Sequence, residues 1–167
     1  MRKRVFLLLA FSIAIFSCAP FSKGLMKQVD LSADFRKVQK APENYIGKKI
    51  LWGGWILQTL NRQDETEMRV IQSELDSQKR PISLDQSSGR FIIRFKGFLD
   101  PAIYREGREV TVLGEIIGQE SLPLGEITYT YPVVMAEEIR LWEKRMEAPL
   151  VYPSWYWGWG PTHWRWH

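Results

Sequence analysis

Thiols and imidazoles are almost missing from this chain. Its 167 residues include one cysteine, Cys18, and two histidines, His163 and His167. A single cysteine excludes an internal disulfide framework. It also leaves too little for a zinc knuckle or for Cys–His catalysis. No histidine falls between residues 19 and 147, where the folded domain is expected. General acid–base chemistry and serine-type triads therefore have no imidazole there. His163 and His167 are spaced i, i+4, but Pro161 argues against the helix that would bring them to one metal. No Lys-Ser/Thr or helix pattern follows Gly53–Gly54, so a phosphate-binding loop is not expected there. Also absent is an apolar run that could cross a bilayer. Val5–Phe16 spans only twelve residues, whereas a helix crossing a ~30 Å hydrocarbon core takes about 20.

What that short run does have is context. Arg2, Lys3 and Arg4 precede it, and small residues and Pro20 follow. This is the layout of an export signal, and residues 1–17 are read as one. Cys18 sits where the run ends. "IFSC" resembles the bacterial lipoprotein box, in which signal peptidase II cuts between positions equivalent to Ser17 and Cys18 and the cysteine carries diacylglycerol. Ile15 and Ser17 suit the box, and Phe16 is bulkier than the small residue usual there. Acylation would also use the lone thiol of a chain sent to an oxidising compartment. Two or more acyl chains, diacylglycerol with or without an amide-linked palmitate, hold a protein stably at a membrane. The formal charge of +4 then loses its meaning. Cleavage removes three bases and no acid, leaving 23 − 3 = 20 Lys and Arg against 19 Asp and Glu. A near-neutral exported chain lacks the electrostatic footprint of a nucleic-acid binder.

Residues 18–31 read as a lipidated tether and 32–147 as the folded domain. Ser32 is placed to cap a brief helix carrying Phe35 and Val38, and Pro42 to open a second turn that leaves at Gly47. The apolar period then becomes two. "KKILWGGWILQTL" is a first strand, with Gly53–Gly54 read as a bulge or sharp bend. "EMRVIQSEL" is a second, and "RFIIRF" a third with Phe91, Ile93 and Phe95 on one side and Arg90 and Arg94 on the other. Asp100–Pro101 predicts a helix N-terminus between strands three and four, stopped at Gly107. "VTVLGEIIGQ" is the fourth strand and "ESLPLGEIT" a turn. A fifth strand carries Tyr129, Tyr131, Val133 and Met135, with Ile139 and Leu141 continuing that face; the alternative over 136–146 is a helix with Ile139, Trp142 and Met146 on one stripe. The sum is a mainly β chain, a five-stranded OB-like Greek-key barrel with short helices, preceded by a lipoprotein signal peptide.

Carboxylates are plentiful, at Asp64, Glu65, Asp76, Asp85, Asp100, Glu115 and Glu126, but no pattern marks a converging pair as glycoside hydrolysis would need. Asp100 reads as a cap rather than an acid catalyst. No cofactor, metal site or catalytic residue is expected.

The stretch "GRFIIRFKGFLDPAIYREGREVTVLGEIIGQESLPLGEITYTYPVVMAEEIRLW", with "APENYIGKKILWGGWI" before it, resembles the Slp family of outer membrane lipoproteins, named for a starvation-inducible lipoprotein. The likeness runs over roughly residues 18–145. It implies a lipid-anchored outer membrane protein of a Gram-negative bacterium, facing the periplasm and linked to stationary phase or stress. It implies no enzymatic activity, and Cys18 is the only position to which it assigns a role. The residue after that cysteine is Ala19 rather than the Asp that, in enterobacteria-like sorting, would retain a lipoprotein in the inner membrane. The expected function is non-catalytic envelope stabilisation. The alternative is a lipid-anchored binding module for a glycan, a lipid or an envelope protein.

Residues 148–167 form a Trp/Tyr-rich tail with five of the eight tryptophans: Trp155, Trp157, Trp159, Trp164 and Trp166. Such rings favour the membrane–water interface, stack on sugars and anchor protein interfaces. Three readings stand: the tail touches lipid, binds a partner, or packs back on the barrel.

Overall fold

The computed structural model describes residues 21–145. Five strands, β1 (Lys49–Asn61), β2 (Glu65–Ser73), β3 (Arg90–Lys96), β4 (Glu109–Leu124) and β5 (Ile127–Leu141), close into a barrel in the order β1-β2-β3-β5-β4. β1, β2 and β3 form an antiparallel meander, β4 returns to pair with β1, and β5 closes the barrel by pairing parallel to β3. This is the OB-like Greek-key order the sequence predicts. The core is apolar throughout. Ile56, Met68, Val70, Phe91, Ile93, Val110, Val112 and Val134 are fully buried within it.

Two plugs close the barrel. At the end where β3 starts, helix α2 (Phe35–Lys40) inserts Phe35 and Val38. Phe35, Trp52 and Phe91 meet edge to face, with centroids 4.9, 5.5 and 6.0 Å apart. A short helix α1 (Lys23–Met26) precedes α2, and a 3-10 turn (Pro42–Tyr45) follows it, leaving through Gly47 at φ +82. Asp34, not Ser32, caps α2, its carboxylate accepting from Arg36 N at 3.0 Å. The hydroxyl of Ser32 is spent on Asp30 two residues upstream. At the other end, Leu99 is buried under the connector between β3 and β4.

That connector corrects the expected helix. Tyr104 N reaches Asp100 O, and the Asp100 side chain accepts from Ala102 N, giving one turn. The turn does not propagate because Thr59 takes the Tyr104 carbonyl and Gly107 N donates to Ile56 O, pulling the chain back onto β1.

Of the two readings of the glycine pair in β1, the bulge is corrected. The register shift of β1 lies between Ile56 and Gln58. Gly53 and Gly54 instead mark a crossing. A Cβ on Gly53 would sit 2.7 Å from Leu75, and one on Gly54 would sit 1.8 Å from the Ile71 carbonyl. The bare backbone lets β2 pack close and lets the 74–81 loop pass over the outside of β1.

β4 and β5 run on into the expected turn as a long hairpin, which narrows the reversal to Gly125–Glu126. Pairs such as Ser121–Thr130 and Leu122–Tyr129 hold its arms. The apolar set predicted for β5 is split by a bulge at Glu137, where Leu113 pairs with Glu138 and Gly114 with Ala136. One extra residue exchanges the two faces of the strand. Tyr131 and Val133 therefore cover Ile92 outside the barrel, while Val134, Ala136, Ile139 and Leu141 pack on the main core.

Candidate functional site

Ser17, Cys18 and the tail tryptophans Trp155, Trp157, Trp159, Trp164 and Trp166 lie outside the described residues. The structure does show where the chain comes from on its way from Cys18 and where it goes on its way to the tail.

Phe21, three residues after Cys18, is buried against β5. The guanidinium of Arg140 stacks over its ring at 5.3 Å, and Ser22 N donates to Glu138 at 3.0 Å. The described part of the expected tether is thus tied to the barrel at Phe21 and Ser22, and again at Asp30. Asp30 N donates to Lys49 O, and the Asp30 carboxylate pairs with Lys48 at 3.0 Å. Hydrogen bonds from Ser32 and then Lys48 hold the Asp30 pKa down at about 2.

Arg140 also stacks on Trp142, 4.9 Å away, and Arg80 lies 5.5 Å from that same indole. Trp142 Nε1 donates to Thr111 Oγ1 at 2.9 Å, and Thr111 donates on to Lys79 O at 2.7 Å. Glu109, 9% exposed, accepts from Arg80 on one oxygen and from Arg145 on the other, the latter at 3.0 Å. Arg145 further donates to Pro81 O, and Arg108 to Trp142 O. The result is a collar of arginines around one indole and one carboxylate, on the outside of β4 and β5. Residues 79–81 are brought there by the loop that crosses Gly53. Sequence reasoning missed this collar. Glu109 and Thr111 are covered by residues 79–81 together with Trp142 and Arg145, which no local pattern marks.

The collar lies at the connector end of the barrel. Phe21, Tyr104 and Arg140 line one cleft there, and Arg105, Glu109, Trp142 and Arg145 line a neighbouring one. The connector itself turns Phe98 (71% exposed) and Ile103 (52%) outward, with Lys96 and Arg105 exposed beside them.

Asp76 and Asp100 cap their own turns. Glu65 shares Arg94 with Glu120, so a guanidinium sits between that pair. Among the described residues no group of three or more His, Cys, Asp or Glu could hold a metal. No helix among them is long and apolar enough to cross a membrane.

Fold and site together define a small OB-like barrel whose first and last described residues emerge at one end. The chain belongs to the outer membrane lipoprotein Slp family, which it matches over residues 15–167. It is 28% identical to outer membrane protein Slp of Escherichia coli K12 over 92% of this chain and 82% of that one. It is 30% identical to the uncharacterized lipoprotein YeaY of the same organism, over 75% of this chain and 66% of that one. A Haemophilus influenzae protein is 30% identical over 93% of this chain and 86% of its own length. Among solved structures, a small single-stranded DNA-binding protein from Streptomyces coelicolor is similar at 14% identity and a TM-score of 0.38, covering 57% of this chain and 94% of its own.

Proposed function

We propose that this chain is an outer membrane lipoprotein acylated at Cys18, facing the periplasm and serving the envelope by contact rather than by catalysis. The observation that carries the reading is the docking of Phe21 on β5. It puts the only thiol of the chain three residues from a fixed point on the barrel. An anchor there holds the domain at the membrane instead of on a long leash. Cleavage between Ser17 and Cys18 leaves an N-terminus that is only the cysteine and two residues before Phe21. A role in envelope stabilisation under stress fits a domain with no histidine or cysteine in its described residues, where Glu65 and Glu120 are held apart by Arg94.

Nucleic acid is not among the proposed partners. On the outer face of β2 and β3, which OB-folds use for oligonucleotides, much of the charge is paired within the protein. Glu67 is buried between Arg62 and Arg69, and Arg94 is taken by Glu65 and Glu120.

The test is the intact mass and membrane retention of the mature protein. The expected outcome is a diacylglyceryl-modified Cys18 N-terminus in the outer membrane fraction, and release of Cys18→Ala from that fraction. Mature protein with a free Cys18 thiol would overturn the reading. A soluble glycan or envelope protein that raises the melting temperature in a saturable way would favour a binding module instead.

A further inference from the structure

We infer that the connector end of the barrel is the surface that rests on the phospholipid headgroup layer. Phe98 and Ile103 reach into that layer, and Lys96 and Arg105 face its phosphates. The inference rests on the acylation of Cys18 proposed above and adds which face meets the bilayer.

Three observations converge. The first is reach. Three residues of extended chain span about 10 Å, so Cys18 attaches within that distance of Phe21. Phe21 shares a cleft with Tyr104 of the connector. Thirteen residues of β5 separate Arg140 from Ile127 at the hairpin tip, about 40 Å of strand. The leash is a quarter of that distance, so the connector end stays nearest the anchor.

The second is composition. Phe98 and Ile103 are the large apolar side chains this connector leaves in water, at 71% and 52% exposure. The connector is held by hydrogen bonds from Leu99 N to Thr66 and from Thr59 to the Tyr104 carbonyl. Its apolar side chains thus project from a fixed turn. Exposed rings and aliphatic chains beside Lys and Arg suit an anionic interface, where the apolar groups enter the acyl boundary and the cations meet phosphate.

The third is the exit of the chain. Arg145, the last described residue, lines a cleft with Arg105 and Trp142. The sequence that follows is poor in charge and rich in Trp and Tyr from Tyr152 onward. The anchor and the aromatic segment thus both connect to the barrel at this end.

The experiment uses the acylated full-length mature protein in vesicles of phosphatidylethanolamine and phosphatidylglycerol. A nitroxide is placed at Ile103→Cys or at Thr128→Cys, the latter beside the hairpin tip. Its relaxation by oxygen and by a water-soluble nickel chelate reports depth. The Ile103 label is expected at headgroup depth or below, the Thr128 label in water, and Phe98→Asp should move the Ile103 label toward water. An Ile103 label as aqueous as the Thr128 label, or a Thr128 label that is the deeper of the two, would overturn the inference. Intact mass of the same sample separates the two claims. Acylated protein with an aqueous Ile103 label refutes only the orientation. An unacylated Cys18, which would take a second label, refutes the anchor and the orientation with it.

Discussion

The two ends of this barrel are closed in different ways. At the α2 end the helix itself turns its apolar side chains inward: Phe35 and Val38 are buried, and Phe35 meets Trp52 and Phe91. Tyr129 OH ties this plug to the hairpin by accepting from Arg90 N and Gln39. At the connector end Leu99 closes the core, but Phe98 and Ile103 stay in water, and the collar of arginines gathers alongside. The first closure is a stability device. The second gives up burial for a surface, and the residues flanking the anchor and the aromatic tail emerge beside it. The difference separates what holds the fold from what the fold presents.

Mutations can break or sharpen this contrast. Phe35→Ala should cost the most, about 3 kcal/mol in the manner of a buried aromatic truncation, read as a lower melting temperature. If Phe35→Ala melts like the parent, α2 is not a plug. Thr66→Val comes next. The Thr66 hydroxyl accepts from Leu99 N at 3.0 Å and lies 2.7 Å from Asn61 Oδ1 and 2.9 Å from Gly97 O. Its loss strands a buried donor and should cost about 1–3 kcal/mol, with faster amide exchange over residues 97–104. Phe98→Ala should change stability by less than about 0.5 kcal/mol. A larger loss would mean that Phe98 is core after all.

The smallest expected effect is one of pH. Asp30, with its pKa held at about 2 against an ordinary 3.8, binds fewer protons folded than unfolded at mildly acid pH. Its contribution is present above the ordinary value and is lost as pH falls from 3.8 toward 2. Asp30→Asn should therefore melt slightly below the parent at neutral pH and draw level with it as pH falls through that window, which flattens the acid limb of its melting curve.

Much of this was legible in the residues. Period-two alternation placed all five strands, and Phe91, Ile93 and Phe95 pack on the core as their alternation says. Other features depended on events distant in sequence. The Asp100 helix was aborted because Thr59 and Ile56 of β1 compete for its backbone. The β5 faces exchange at a bulge that Glu137 does not advertise. Glu109 is covered by Arg80, from a loop that crosses Gly53 of β1, and by Arg145, both distant from it in sequence. The collar was therefore invisible to local pattern, whereas the lone cysteine and the chain's aromatic end, being compositional, were plain.

The most direct test of the division between the ends is hydrogen exchange, comparing acylated protein on vesicles with Cys18→Ala protein in solution. Slower exchange over residues 97–106 and 140–145, with residues 118–131 unchanged, is the predicted result. Unchanged exchange in the connector together with slowing in the hairpin would contradict it, and would turn the molecule over on its membrane.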